Sequence, residues 1–201
     1  MLYADLWNFG ADYNMRSPPE VVRATSSALP VIQAEPGLWR TTVVDRRQDP
    51  ALDTELIQSS MGLVQGTRDV LVPSPLRLVR HEALLAMVGL DVGDKGPQKW
   101  DRLRAHPELV DLLGLRWLLS VHDIVDPAYP KRMDGPVKLY ENPDALPNVF
   151  LVGCTQLTVD SYSDLPGLKP RQFALVESDL GLPQCVDGAD VGVAEVESIS
   201  A

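Results

Sequence analysis

The sequence predicts an α/β or α+β domain: a small mixed β-sheet packed by several short helices. Three observations predict it. Short apolar runs with strand composition, at 38–44, 116–121 and 149–152, are interspersed with helical segments rather than grouped by type. Residues 109–152 compress that alternation, as an apolar helix, a glycine, a strand, a polar loop, a second strand, a Pro-rich turn and a third apolar strand. The composition, 201 residues with 45% hydrophobic and 23% charged, is that of a globular chain long enough to bury a real core.

In order along the chain, residues 1–16 mix Trp7, Phe9 and Tyr13 with Asp5, Asn8 and Asn14 without a period. They read as an extended lead-in that lays its aromatics on the body. Ser17-Pro18-Pro19-Glu20 is a helix start: Ser17 caps, proline suits the first turn, and Glu20 stands where a capping box needs it. This helix is expected to run to Ala28 and stop before Pro30, with Val21, Val22, Thr25 and Ala28 on one face. Residues 38–44 (LWRTTVV) follow a Pro36-Gly37 turn and have β composition. A charged loop occupies 46–50, and 52–64 is ambiguous between a short helix and an irregular Met-Gly segment. Ser74-Pro75 opens a stronger helix in which Leu76, Val79, Ala83, Met87 and Leu90 form a core-facing stripe. Residues 91–97 (DVGDKGP) are a flexible loop and the best internal hinge.

Two short helices follow at 97–105 and 107–113, each opened by a proline, and Gly114 is placed to end the second in a left-handed conformation. Residues 116–121 form a strand. Val137 and Leu139 alternate with Lys138 and Tyr140, which predicts a strand with one buried face. Residues 149–152 (VFLV), apolar on both faces, predict an inner strand. A turn-rich loop at 163–170 leads to a short helix or strand at 171–177. The tail, 179–201, is irregular, with strand-like alternation only at 193–199. A terminal strand needs a neighbour, so the chain reads as a single domain that is a piece of a larger protein.

The net charge of −10 argues against a nucleic-acid surface, which needs clustered Lys and Arg, and disfavours docking on anionic lipid. The longest apolar run, 83–90, falls far short of the roughly 20 residues that span a bilayer, and residues 1–5 lack the pattern of a signal peptide. Cys154 and Cys185 are the only cysteines; two small core residues are the expectation, with a single disulfide as the alternative.

No convincing catalytic constellation is present, and no catalytic residue, cofactor or metal is expected. There is no G-x-S-x-G, and His81-Glu82 is followed by Ala-Leu-Leu rather than completing H-E-x-x-H. Gly93-Asp94-Lys95-Gly96 lacks the spacing of a phosphate loop, and Asp187-Gly188-Ala189-Asp190 lacks the ligand set of a calcium loop. His106 precedes a helix-starting proline. One polar cluster stands out: His122, Asp123, Asp126 and Tyr129 follow a strand, and carboxylates, imidazole and an aromatic face suit sugar hydroxyls or acid–base work. The bland reading, a polar loop between strands, is preferred. Trp39, Trp100 and Trp117 fall in elements and are expected in the core, leaving Trp7 the most open to binding.

Several segments, in order, resemble the soluble extracytoplasmic part of YfhO-type bacterial polytopic membrane proteins, themselves similar to lipid-linked-sugar glycosyltransferases. They are Asp5-Leu6 with Tyr13-Asn14 and the Pro-rich helix start, Gly37-Leu38-Trp39-Arg40, the helix-to-strand step at 109–120, Tyr140-Glu141-Asn142-Pro143-Asp144-Ala145-Leu146-Pro147 followed by 149–152, residues 165–177, and 194–199. Asn148 replaces the Arg usual in that family after Leu-Pro, Arg116 replaces a Lys and Lys169 an Asp. The resemblance implies a non-catalytic domain accessory to cell-surface glycan assembly, on the extracytoplasmic face of the membrane. Its partners would be the remainder of its own membrane protein and a glycan or lipid-linked sugar, with no nucleic acid. The alternatives are a freestanding soluble hydrolase using the His122-Asp123-Asp126 loop, and a protein-interaction module recruited by the terminal strand. The Tyr140-Glu141-Asn142 turn is expected to be structural rather than a sugar site.

Overall fold

The computed structural model describes residues 25–45, 52, 54–57, 62, 65–71, 78–90 and 98–185. Its elements are α1 (Leu29–Ala34), β1 (Arg40–Asp45), β2 (Arg68–Asp69), α2 (Val79–Met87), α3 (Gln98–Ala105), α4 (Pro107–Leu112), β3 (Leu115–Ser120), β4 (Lys131–Met133), β5 (Lys138–Glu141), β6 (Cys154–Leu157), α5 (Ser161–Asp164) and β7 (Phe173–Val176). A five-stranded mixed sheet has the order β2-β1-β3-β5-β4. Its first three strands are parallel, and β5 and β4 extend it antiparallel. The class is the mixed α/β architecture that the sequence predicts.

The sheet is covered on both faces. On one, Leu56 and Ile57 from the β1–β2 connection join Ile32 of α1 against Trp117, Leu119 and Leu139. On the other, α2, α3 and α4, which make the β2–β3 connection, bring Leu85, Leu103 and Leu109 against Val44, Leu118 and Tyr140. The two crossovers therefore lie on opposite faces and diverge from β1, as in doubly wound sheets. Gly114 joins α4 to β3: its φ of +64° ends the helix, its N–H donates to Asp111 O at 2.9 Å, and its carbonyl accepts from Arg40 N at 3.0 Å. A Cβ there would stand 3.0 Å from Leu146 O, so glycine also permits the close approach of that turn.

Beyond the sheet, β6 and β7 pair in parallel, and Thr155 also bridges to Gln184. This unit leans on the helical face through Leu165, Leu168, Phe173 and Leu175.

Several expectations are corrected. Residues 149–152 are not a strand: Val149 is 50% and Leu151 59% exposed. The strand that completes the sheet is β4, whose Lys131 and Arg132 suit a charged edge but carry no apolar signal. In β5, Leu139, Tyr140 and Glu141 are all buried instead of alternating, because both sheet faces are covered. Pro30 does not stop a helix; it lies in the first turn of α1, where a missing N–H costs nothing. In α2 the expected stripe reaches the core at Met87 and at the fully buried Leu90, but not at Val79, which is 80% exposed; Leu85 and Val88 are buried as well. Cys154 and Cys185 are disulfide-bonded, with Cα atoms 4.9 Å apart, rather than free core residues. Residues 173–176 resolve as strand. The lead-in 1–16, the cap at Ser17, the loops 46–50 and 91–97, the helix start at Ser74 and the strand at 193–199 lie outside the described residues.

Candidate functional site

Two places warrant a chemical reading. The first is the carboxyl edge of the parallel strands. With the order β2-β1-β3, the crossovers part between β1 and β3, and ligands of doubly wound sheets bind outside the strand ends at such a point. β1 ends in Asp45, β2 in Asp69, and β3 in Ser120 followed by Val121 and His122. There His122 Nδ1 is hydrogen-bonded to Asp45 Oδ2, with the imidazole 55% and the carboxylate 17% exposed. A histidine oriented by a carboxylate is half of a general-base arrangement. The hydroxyl of Ser120 does not supply a nucleophile to it: it donates to His122 O at 2.8 Å and accepts from His122 N at 3.1 Å.

Lys99, buried on α3, donates from Nζ to Val43 O and sits close enough to Asp69 to act on its charge. Asp69 accepts from Leu71 N at 2.9 Å. Burial outweighs that bond and the lysine, and pushes the Asp69 carboxyl up from 3.8 to about 6.

The four residues that the sequence groups together separate into different roles. His122 turns to Asp45. Asp123 accepts from Lys131 Nζ at 2.6 Å and from the Tyr140 hydroxyl at 3.3 Å; the lysine holds its carboxyl below the usual range. Asp126 closes a turn by accepting from Ala128 N at 3.0 Å. Tyr129 is 4% exposed, its ring set edge-on to Trp100 with centroids 5.0 Å apart, and burial raises its phenol further. Neither cavity described below is lined by any of them. Asp45, Asp69 and Lys99 went unmarked in the sequence. An aspartate ending an apolar strand was the available signal for Asp45; nothing in sequence links it to His122.

The Tyr140-Glu141-Asn142 turn is fully employed. Tyr140 Oη accepts from Ile124 N at 2.9 Å, and buried Glu141 is paired with Arg116 and Arg132. Asn142 Nδ2 donates to Asp111 Oδ1 at 2.8 Å, and its Oδ1 accepts from Asp144 N at 3.1 Å. Arg116 reaches Glu35 at 3.1 Å and lies 5.3 Å from the centre of the Trp39 ring. Trp39 stands just before β1 and is partly buried, while Trp117 is in the core. Asn148 Nδ2 donates to Leu38 O at 2.8 Å. His106 lies 3.7 Å from Glu108. Trp7 and the motifs at 93–96 and 187–190 lie outside the described residues.

The second place is a cleft of about 510 Å³ between α2, α4 and the 149–176 segment. Its walls are mostly apolar, with Leu84, Leu112, Phe150 and Phe173 among them, and Arg80, His81 and Tyr162 also line it. Arg80 pairs with Glu177 at 2.8 Å. A smaller cavity of about 290 Å³ lies by Glu35, Trp39 and Arg68, at the amino end of the parallel strands. Among the described residues, no cluster of three or more His, Cys, Asp or Glu could hold a metal, and no helix is long and apolar enough to cross a membrane.

Comparison with protein-family models, with curated proteins and with solved structures finds no match for this chain.

Proposed function

We propose that this chain is a non-catalytic extracytoplasmic domain of a YfhO-type polytopic membrane protein, accessory to cell-surface glycan assembly. Its standing partner is the remainder of its own membrane protein, and the molecule handled there is a glycan or lipid-linked sugar. The observation that carries the reading is the Cys154–Cys185 disulfide. Disulfides persist in secreted and cell-surface proteins and are rare where thiols are kept reduced, so the bond supports the compartment that the ordered resemblance implies. The separate structural roles of Asp123, Asp126 and Tyr129 support the non-catalytic part of the reading.

The test uses the natural gene at its own locus. Intact cells are treated with a thiol-blocking maleimide before and after reduction, then fractionated. The expected result is membrane-associated protein whose two cysteines react only after reduction. Reactive cysteines before reduction, on a protein in the cytosolic fraction, would overturn the proposal.

A freestanding hydrolase working through the His122-Asp123-Asp126 loop is the second reading, favoured by the His122–Asp45 contact at the strand ends. It requires turnover of an ester, amide or glycoside by the purified chain that His122→Ala abolishes. Turnover that persists in the variant, or none in the parent, removes it.

A further inference from the structure

The geometry points to the 510 Å³ cleft as a binding site for a single-chain amphiphile with an anionic head, its tail against Leu84, Leu112, Phe150 and Phe173 and its head at Arg80 and His81. The inference stands independently of the compartment proposed above.

The volume falls in the range of roughly 300–1,000 Å³ that holds small-molecule ligands, and an apolar lining with a few polar groups is the usual composition of such sites. Apolar walls left open to water favour a hydrocarbon occupant, because its burial removes apolar surface from solvent on both sides. The polar groups are what make the occupant amphiphilic. Arg80 and His81 are consecutive at the start of α2, and both are exposed. Tyr162 lines the same cleft, lies close enough to Arg80 to act on its charge, and has a buried hydroxyl with no hydrogen-bond partner among the described residues. A buried hydroxyl left unbonded is costly, so a small turn of the Tyr162 ring that brings it to an oxygen of the ligand head would relieve that cost.

Glu177 already occupies part of the Arg80 guanidinium, through Nη2. That ion pair is largely exposed, 70% on the arginine and 38% on the glutamate, so exchanging the carboxylate of Glu177 for that of a ligand costs little. A guanidinium carries five donors in a fork suited to carboxylate and phosphate. The chain's net charge of −10 does not forbid an anion, since charges beyond about 8 Å are screened at physiological salt.

Phe173 and Leu175, on one wall of the cleft, lie within the loop that the Cys154–Cys185 bond closes, and Phe150 and Val152 lie just before it. Ala174 lines the cleft and is the smallest side chain in the lining, which makes it the position at which to fill the cleft.

The test is titration of the full chain with decanoate, decyl phosphate, decanol and decyltrimethylammonium, followed by calorimetry. Saturable one-to-one binding of decanoate or decyl phosphate is expected, with decanol roughly tenfold weaker for loss of the charged hydrogen bonds. Decyltrimethylammonium should be weaker again. The ratio of the two anions distinguishes a carboxylate from a phosphate head. Arg80→Gln should bring the anions down to the level of decanol, and Glu177→Gln should tighten them by removing the competing carboxylate. Ala174→Trp should abolish binding with the circular dichroism spectrum unchanged; Arg80→Gln, on an exposed side chain, keeps the test decisive should that variant misfold. Equal binding of all four probes, no saturable binding, or undiminished anion binding in Arg80→Gln overturns the proposal.

Discussion

In the five-stranded sheet Leu115, Leu118, Leu119 and Leu139 are fully buried, whereas in residues 149–185 Leu168 is the one large apolar side chain that is buried. There Val149, Leu151, Leu157 and Leu180 are each half exposed or more. The second region holds its form by other means. Its polar turns close on themselves: Asp160 N donates to Thr158 Oγ1 at 3.2 Å, Tyr162 N to Asp160 Oδ1 at 3.1 Å, and Gly181 N to Asp179 Oδ1 at 2.8 Å. The disulfide then ties β6 to the chain's return at 185. A unit with too little apolar burial to offset chain entropy needs such a staple, and a sheet filled on both faces does not.

Truncating one side chain in each region should separate the two most widely. Leu118, fully buried in β3, should cost on the order of 2–5 kcal/mol as Leu118→Ala, by lost transfer energy and the cavity left behind. Phe150→Ala should cost distinctly less, because that ring is only partly buried and faces an open cleft that needs no further cavity. Chemical denaturation of both variants checks the ranking. Equal costs would mean that residues 149–152 are as much core as β3 is.

Cutting the staple comes next. Cys154→Ser with Cys185→Ser should lower stability by about 2–4 kcal/mol, since the bond closes a long loop in the unfolded chain. The loss should be local. Amide exchange should quicken in β6 and β7 while β3 and β5 keep their protection, because the ladders that hold β3 and β5 run to β1, to β4 and to each other and not to the stapled unit. Uniform loss across both sheets would show one cooperative unit instead of two differently built regions.

The same contrast governs how much of the molecule was legible in the sequence. Periodicity and punctuation located β1, α3, α4, the Gly114 cap and β3, because in the body burial and local propensity agree. β4 was not legible: three residues, two of them charged, form an edge strand only because β5 offers unpaired backbone. Residues 149–152 misled for the opposite reason. An apolar run says that it will touch something apolar, not that it will pair, and here Phe150 and Val152 serve as a cleft wall. The carboxyl-edge contacts among Asp45, His122, Lys99 and Asp69 depend on strand order, which a single sequence does not encode locally. The Cys154–Cys185 bond depends on the Thr155–Gln184 bridge that brings the chain back beside β6, a non-local pairing that the spacing of two cysteines does not encode.

A smaller effect separates the regions by pH. Asp69, at the end of β2 in the body, binds its proton in the folded chain with a pKa of about 6 against an ordinary 3.8. Between these values the folded state holds more protons than the unfolded one, so stability rises as pH falls from about 6 towards 4 and is lost as pH rises through that window. Asp69→Asn keeps an acceptor for Leu71 N and removes the buried charge. It should raise stability at neutral pH by on the order of 1–3 kcal/mol and flatten the slope between pH 4 and 6. Denaturant midpoints across that range test it; an unchanged slope in the variant would assign the dependence elsewhere.

The smallest effect is expected at Val159, just beyond β6, whose side chain is fully exposed. A valine already in water gains nothing from folding, so Val159→Ser should change the stability of this chain by less than about 0.5 kcal/mol. Leu157, 54% exposed at the end of β6, should fall between Val159 and Phe150 when changed to serine. The pair measures directly whether the stapled unit draws any stability from its outer apolar side chains. A cost for Val159→Ser near that of Leu118→Ala would mean that a further part of the chain, or a second copy of it, covers this face in solution. Repeating the measurement across a range of protein concentrations tells the two apart, because only association between copies makes the apparent stability depend on concentration.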